Sequence, residues 1–329
     1  MNYALIQSIK YNEINIPPEW VNEATYIESM DLSGPKLIIS FHDMGGILRD
    51  KGKFKEHDGV LSLVIADPGD RDKTFLEETF IIEKLNAVGD GALRLQCLAE
   101  AVSIIKRHSQ GCVIYPPAPP GDTINTITKA QTLEASALPE GPGYHLLDGM
   151  RPSRLLRKLA AENGARIFYC RGIWYLKTFD DLLAAEPVAT YYHNKALKPE
   201  SITELVVHGH SAVAGEVVQR RAMGWDMVTG FMESGTGRPL MTGLVTEASL
   251  AAVNRTFLQD LEFSSRAAPN PDLKPSDRLS TEWHRPSDSD APIDESLPTS
   301  VLVGTVAHHV KGSQYSQRII TLKESVPGE

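Results

Sequence analysis

The chain has 329 residues, enough for two or three domains that each bury a core of their own. Hydrophobic residues make up 42%, an ordinary globular share, which excludes collagen-like and wholly disordered readings. Thirty-three basic residues against 42 acidic ones give a formal charge of −9, the wrong sign for specific nucleic-acid binding, which needs surplus Lys and Arg to displace counterions from phosphates. A local basic patch at Arg151, Arg154, Arg157 and Lys158 does not reverse that balance. No apolar run approaches the roughly 18 residues that span a bilayer, so membrane insertion is not expected. The first twenty residues carry acids and prolines too early for a secretory signal. Cys97, Cys112 and Cys170 lie far apart without CxxC spacing and read as buried thiols of a cytoplasmic protein.

In chain order, "PKLIISFHD" predicts a strand from Lys36 to His42 that breaks at "MGGILRDKG". "DGVLSLVIAD" restarts at Asp58 with apolar residues on both faces, which predicts a strand covered on two sides. "TFIIEKLNAV" and "ALRLQCLAE" flank Gly89-Asp90-Gly91. The alternation of Leu93, Leu95 and Cys97 with Arg94 and Gln96 predicts a hairpin with one wet face. "YPPAPPGD" is a proline-stiffened connector, after which Asp122 is expected to cap a helix running to about Ala137.

The segment "RPSRLLRKLAAENGARIFYCRGIWYLKTFDDLL" carries the clearest pattern. Pro152 suits a first helical turn, Leu155, Leu156 and Leu159 form an apolar stripe, and Gly164 suits a left-handed stop. Ile167–Cys170 and Ile173–Phe179 then predict a hairpin turning at Arg171-Gly172. Tyr169 is expected to face Trp174, and Ile167 to face Leu176. From Pro187 strand texture returns in "ITELVVHGHS", "VTGFME" and the closing segment, while "RTFLQDLEFSS" fits helix or strand. Residues 267–299, rich in Pro, Ser and Asp, predict a mobile loop or polar arm, with Trp283 as its docking anchor.

Few residues offer chemistry. His208 and His210 in "VVHGHS" stand two apart at a strand end, on one face, as some metallohydrolases require. No further ligand set follows, and polar residues on an outer strand face explain them as well. His42 and Asp43 point to opposite sides of a strand end and read as the start of a turn. "ESGTGRPLMTG" lacks the spacing of a phosphate loop, and no nucleophile elbow or Cys–His pair appears, so no cofactor is expected. In the closing "VGTVAHHVKGSQYSQRIITL", His309 shares a strand face with Val301, Val303, Thr305 and Ala307. His308 lies on the other with Leu302, Val306 and Val310, and Lys311-Gly312-Ser313 makes the turn. Adjacent histidines on a strand diverge, so a hairpin is predicted there and not a metal site.

The order of these parts resembles the baseplate hub proteins of contractile phage tails, of the late-control protein D type, and the base of type VI secretion spikes. "KLIISFHDMGGILRDKGKFKEHDGVLSLVIAD" is similar to the paired strands of the first barrel. "GMRPSRLLRKLAAENGARIFYCRGIWYLKTFDDL" is similar to the helix–hairpin insert, and "VLVGTVAHHVKGSQYSQRIITL" to the closing hairpin of the second barrel. The resemblance implies a β-rich α+β fold of two small antiparallel β-barrel domains (1–115 and 187–329) around an inserted α+β region (116–186). It also implies a homotrimer that adapts a hexameric tail tube to a trimeric central spike, without enzymatic activity. Its partners would be further copies of itself, the tube protein, the spike, and the tape-measure and other baseplate proteins. Its place would be the virion tail baseplate, after assembly in the host cytoplasm. Trp283, His308 and Tyr315 are then interface candidates, with His308 and Tyr315 structural and not catalytic. Two other readings stand beside it: a soluble metal-dependent hydrolase using His208 and His210, and a tube-end or adaptor component of another β-rich assembly.

Overall fold

The computed structural model describes residues 5–43, 45–48, 54, 56, 59–67, 69–88, 91–194, 201–208, 220–226, 228–234, 238–244, 255–265, 269–285 and 292–325. The first region is built of strands β1 (Leu5–Tyr11), β2 (Ile14–Asn15), β3 (Val21–Ser29), β4 (Lys36–His42), β5 (Val60–Asp67), β6 (Asp70–Val88) and β7 (Ala92–Ala99). They run side by side in the order β3-β4-β7-β6-β5-β1-β2 with antiparallel pairing throughout. Alternation decides which face is dry: Leu37, Ile39 and Phe41 on β4, Leu61, Leu63 and Ile65 on β5, and Leu93, Leu95 and Cys97 on β7 are all buried. Each such Leu, Ile or Phe contributes about 1.5–3 kcal/mol by leaving water. The β6–β7 hairpin and its wet face form as the sequence predicts, with Leu85 opposite Leu95. Strand β5 departs from expectation, because Val60, Ser62 and Val64 are only half-buried and one face alone is fully covered. His42 and Asp43 end a strand and open a turn: Asp43 Oδ1 accepts the Leu48 amide at 2.7 Å.

The middle region holds α1 (Glu100–Lys106), β8 (Val113–Tyr115), α2 (Pro120–Thr128), β9 (Leu133–Ala135), β10 (Tyr144–Leu146), α3 (Pro152–Glu162), β11 (Ala165–Cys170), β12 (Ile173–Thr178) and α4 (Phe179–Ala184). Helix α2 begins two residues before Asp122 and ends far short of Ala137. Lys129 turns left-handed (φ 53°) and Leu133–Ala135 becomes a strand parallel to β12. The α3–β11–β12 unit matches the sequence reading residue by residue: Pro152 opens the helix, Tyr169 faces Trp174 and Ile167 faces Leu176. The stripe Leu155, Leu156 and Leu159 packs into the same apolar core as Phe80 and Ile82 of β6, so this region and the first share their interior. Cys97 and Cys170 are buried thiols as expected, whereas Cys112 is exposed.

The third region comprises β13 (Pro187–His193), β14 (Ser201–Ile202), β15 (Glu204–Val207), β16 (Arg220–Asp226), β17 (Gly230–Ser234), β18 (Arg238–Leu244), β19 (Thr256–Ser265), β20 (Arg278–Trp283), β21 (Ser300–Lys311) and β22 (Gln314–Ser325). "RTFLQDLEFSS" thus resolves as a strand. Strands β16–β18 form a separate small sheet in which Trp225 opposes Phe231, both more than half exposed. The predicted polar arm at 267–299 is corrected. Arg278–Trp283 is a strand between β13 and β21, and its alternation turns Leu279, Thr281 and Trp283 into a second core with Tyr191, Phe263 and Val306. Three inward residues in a short window suffice for a strand even where the surrounding composition is polar. The β13–β20 and β13–β14 pairs are parallel, unlike the antiparallel plan expected.

Strand β21 joins the regions. One edge pairs with β22 along its length; the other pairs with β20 through Leu302 and with β3 from Thr305 onward. The change of neighbour falls at Gly304, beside a register shift. A Cβ there would overlap the Leu322 side chain, and the Gly304 carbonyl is held by the Met30 amide at 2.7 Å. Gly304→Ala is therefore expected to cost about 1–3 kcal/mol through overpacking, read as a lower urea midpoint with an unchanged m-value.

Candidate functional site

The β11–β12 hairpin turns through two residues with positive φ, Arg171 at 49° and Gly172 at 80°, the two-residue turn that matches strand twist. A tight turn leaves no slack, so the hairpin tip drives the Arg171 guanidinium against β3 where β3 meets β21. Glu28 of β3 waits there, fully buried, and accepts two parallel hydrogen bonds, from Arg171 Nε at 2.9 Å and a terminal nitrogen at 2.8 Å. Tyr26 Oη (2.9 Å) and Cys170 Sγ (3.0 Å) also donate to Glu28, and His308 Nε2 lies 3.3 Å away. His308 Nδ1 meets the Tyr315 hydroxyl at 2.7 Å, and Arg171 donates further to the Leu273 carbonyl at 3.0 Å. Tyr26, His308 and Tyr315 stack as a column of near-parallel rings. One carboxylate thus gathers groups from β3, the hairpin and β21, with β22 and the segment before β20 one contact further out.

Beside it stands a second acid, Glu78 of β6, also buried. Its Oε1 accepts from the Tyr169 hydroxyl and the Thr79 amide, each at 3.2 Å, while among the described residues Oε2 meets no donor in hydrogen-bond geometry. Burial pushes Glu28 up, but Arg171 and the His308 and Arg171 hydrogen bonds prevail and hold it well below the usual carboxylate range. Burial pushes Glu78 up to about 7, against the hydrogen bonds from Thr79, Tyr169 and Gly172 and with help from the Glu28 charge. Burial lowers His308 despite Glu28, so the imidazole sits neutral, with Nε2 donating to Glu28 and Nδ1 accepting from Tyr315. A cavity of about 20 Å³ borders Tyr26, Arg171, His308 and Tyr315, room for roughly one water. Donors and acceptors here satisfy one another almost completely, which suits a clasp between segments better than a reaction centre.

The predicted residues fall in different places. His308 and Tyr315 belong to the clasp, and Trp283 lies in the second core with its indole donating to the Pro298 carbonyl at 2.6 Å. At 1%, 6% and 7% exposure, Trp283, His308 and Tyr315 face the chain's own interior and offer a partner almost no side-chain surface, which corrects their assignment as interface candidates. His309 takes the opposite strand face and meets Thr25 Oγ1 at 2.9 Å. His208 Nε2 lies 3.1 Å from Glu262, whose other oxygen pairs with Arg318. His210 lies outside the described residues, and among the described residues no three His, Cys, Asp or Glu side chains gather as a metal site would require. Glu28, Glu78 and Arg171 were missed as functional residues. Their signal was parity: Glu28 shares the inward face of β3 with Ala24 and Tyr26, where a carboxylate has to find a partner.

No protein-family profile matches the sequence, and no curated protein resembles it. Solved structures do. A tail protein from Neisseria meningitidis MC58 superposes with a TM-score of 0.64 at 11% identity, over 98% of this chain and 97% of its own. The chain has the fold of a phage tail protein. The 43 kDa tail protein of prophage MuSo2 from Shewanella oneidensis shares this tail-protein fold with a TM-score of 0.57 at 9% identity, over 99% and 97% of the two chains. An E. coli component of the type VI secretion system, described as structurally similar to the T4 tail proteins gp27 and gp5, gives 0.53 at 13% identity, over 99% of this chain and 77% of its own. The tail-protein fold therefore covers nearly the whole chain.

Proposed function

We propose that the chain is a structural tail protein, the baseplate hub of a contractile tail, in which a homotrimeric ring adapts the hexameric tube to the trimeric central spike. The observation that carries this reading is the likeness in fold to a tail protein over 98% of this chain and 97% of that one. The clasp supports it, since removing one partner of a buried ion pair is strongly destabilising, so Glu28 and Arg171 hold the hairpin against β3 in one arrangement. In this reading residues 1–115 and 187–329 are the two β-barrel domains that alternate around the threefold axis, and 116–186 is the insert between them. Spike, tube, tape-measure and further baseplate proteins are its partners, on a virion tail assembled in the host cytoplasm.

The test is the native mass of the purified chain, alone and co-expressed with its spike, with metal content measured on the same samples. A species near three times 36.2 kDa in either sample is the expected result. A monomer in both samples overturns the hub. A monomer or dimer carrying about one zinc or iron per chain moves the assignment to the hydrolase reading at His208 and His210.

A further inference from the structure

We propose that the seating of the 165–178 hairpin on the joint between the β-regions is coupled to one proton, carried by Glu78. Two buried carboxylates, Glu28 and Glu78, face the hairpin tip, and one guanidinium, Arg171, lies between the hairpin and them. Arg171 is committed to Glu28 through two hydrogen bonds and to the Leu273 carbonyl through a third. Glu78 is left with the Tyr169 hydroxyl and the Thr79 and Gly172 amides, and among the described residues no donor comes within hydrogen-bond geometry of its Oε2. An ionised Glu78 would be a desolvated charge with no ion-pair partner among the described residues, beside a second negative charge. A protonated Glu78 removes both penalties.

The surrounding groups do not compete for that proton. On β3, Glu28 stays ionised, and Tyr26 is pushed further from ionisation by burial. On the hairpin, Tyr169 and Cys170 are raised by burial and Arg171 stays charged. On β21 and β22, His308 is held neutral and the Tyr315 hydroxyl stays protonated. Before β20, burial raises Asp277, opposed by the Lys274 amide it accepts at 2.9 Å and by the Lys274 and Arg171 charges, and Asp272 pairs with Lys73 at 3.5 Å. The residue opposite Glu78 on β5 is Leu63, which brings no charge. Burial raises Asp277 as well, but the Lys274 and Arg171 charges oppose it, whereas Glu78, beside the Glu28 charge, is raised to about 7.

The sign follows from the raised value. An undocked, hydrated Glu78 ionises near 4.5 and the docked one near 7, so docking is strongest at low pH and weakens as pH rises through that interval. The weakening is complete only above the docked value. Hydrogen exchange of the full chain, corrected for intrinsic rates, reads it directly. Between about pH 6 and about pH 8.5 the amides of the hairpin tip are expected to lose roughly tenfold in protection, and Glu78→Gln is expected to abolish that change. Equal pH dependence in wild type and Glu78→Gln overturns the proposal. A carboxyl carbon-13 titration of the wild-type chain decides the matter without any variant: a Glu78 midpoint near 7 supports it, and one near 4.5 overturns it.

Discussion

Glu28→Ala is expected to lower the free energy of unfolding by about 3–5 kcal/mol, the range for breaking a buried ion pair by deleting one partner. The cost arises mainly in what the substitution leaves behind. Arg171 keeps its charge, held largely out of water by the seated hairpin, and among the described residues retains the Leu273 carbonyl as its hydrogen-bond acceptor. Tyr26, Cys170 and His308 lose an acceptor at the same time. Urea unfolding will show the loss as a lower midpoint, and a double-mutant cycle with Arg171→Met will show its origin. The double variant should be less destabilised than the sum of the single ones, since removing both charges leaves no orphan; the coupling expected is about 1–3 kcal/mol. Acid adds a second signature. Glu28 is depressed in the folded chain, so its contribution is fully present above the ordinary carboxylate value of 4.5 and is lost as pH falls below it. Glu28→Gln should flatten the wild-type decline in stability on the acid side of pH 4.5.

The parts of this fold that were legible in the sequence are those whose stability is local. Helix α3 and the β11–β12 hairpin announce themselves through Pro152, the Leu155–Leu156–Leu159 stripe and the Arg171-Gly172 turn, because a helix stripe and a two-residue turn set their own register. The early end of α2 was hidden, since Leu133 keeps helical spacing with Ile124 and Ile127 while tertiary pairing with Trp174 draws it into a strand. The neighbours of β21 were hidden as well. They depend on β3, nearly three hundred residues away, and nothing short-range specifies such a partner. The candidate site shares that fate. His308 and Tyr315 stood out as unusual side chains on a closing hairpin, but Glu28, Glu78 and Arg171 acquire meaning only when three distant segments meet around them. A sequence reading follows periodicity and composition, and a clasp made of single residues from separate strands has neither.

Trp283→Ala is expected to cost about 3–5 kcal/mol, the range for truncating a large buried aromatic. The polar composition around it suggested an anchor reaching toward another subunit, for which the same substitution would weaken assembly and leave the isolated chain as stable as before. The structure points the other way. Trp283 is 1% exposed, meets Phe263 edge-on at 6.2 Å and His193 at 6.0 Å, and closes the second core beneath Tyr191 and Leu279. Trp283→Phe separates packing from hydrogen bonding. The Pro298 carbonyl keeps its partner in the Thr281 hydroxyl at 2.6 Å, so losing the indole donor strands no acceptor. The Phe variant should then cost about 1–3 kcal/mol, the scale of a partly filled core site. Both effects should appear in urea unfolding at protein concentrations low enough to hold oligomeric state constant. A wild-type midpoint for Trp283→Ala would return this tryptophan to the surface and 267–299 to the status of an arm.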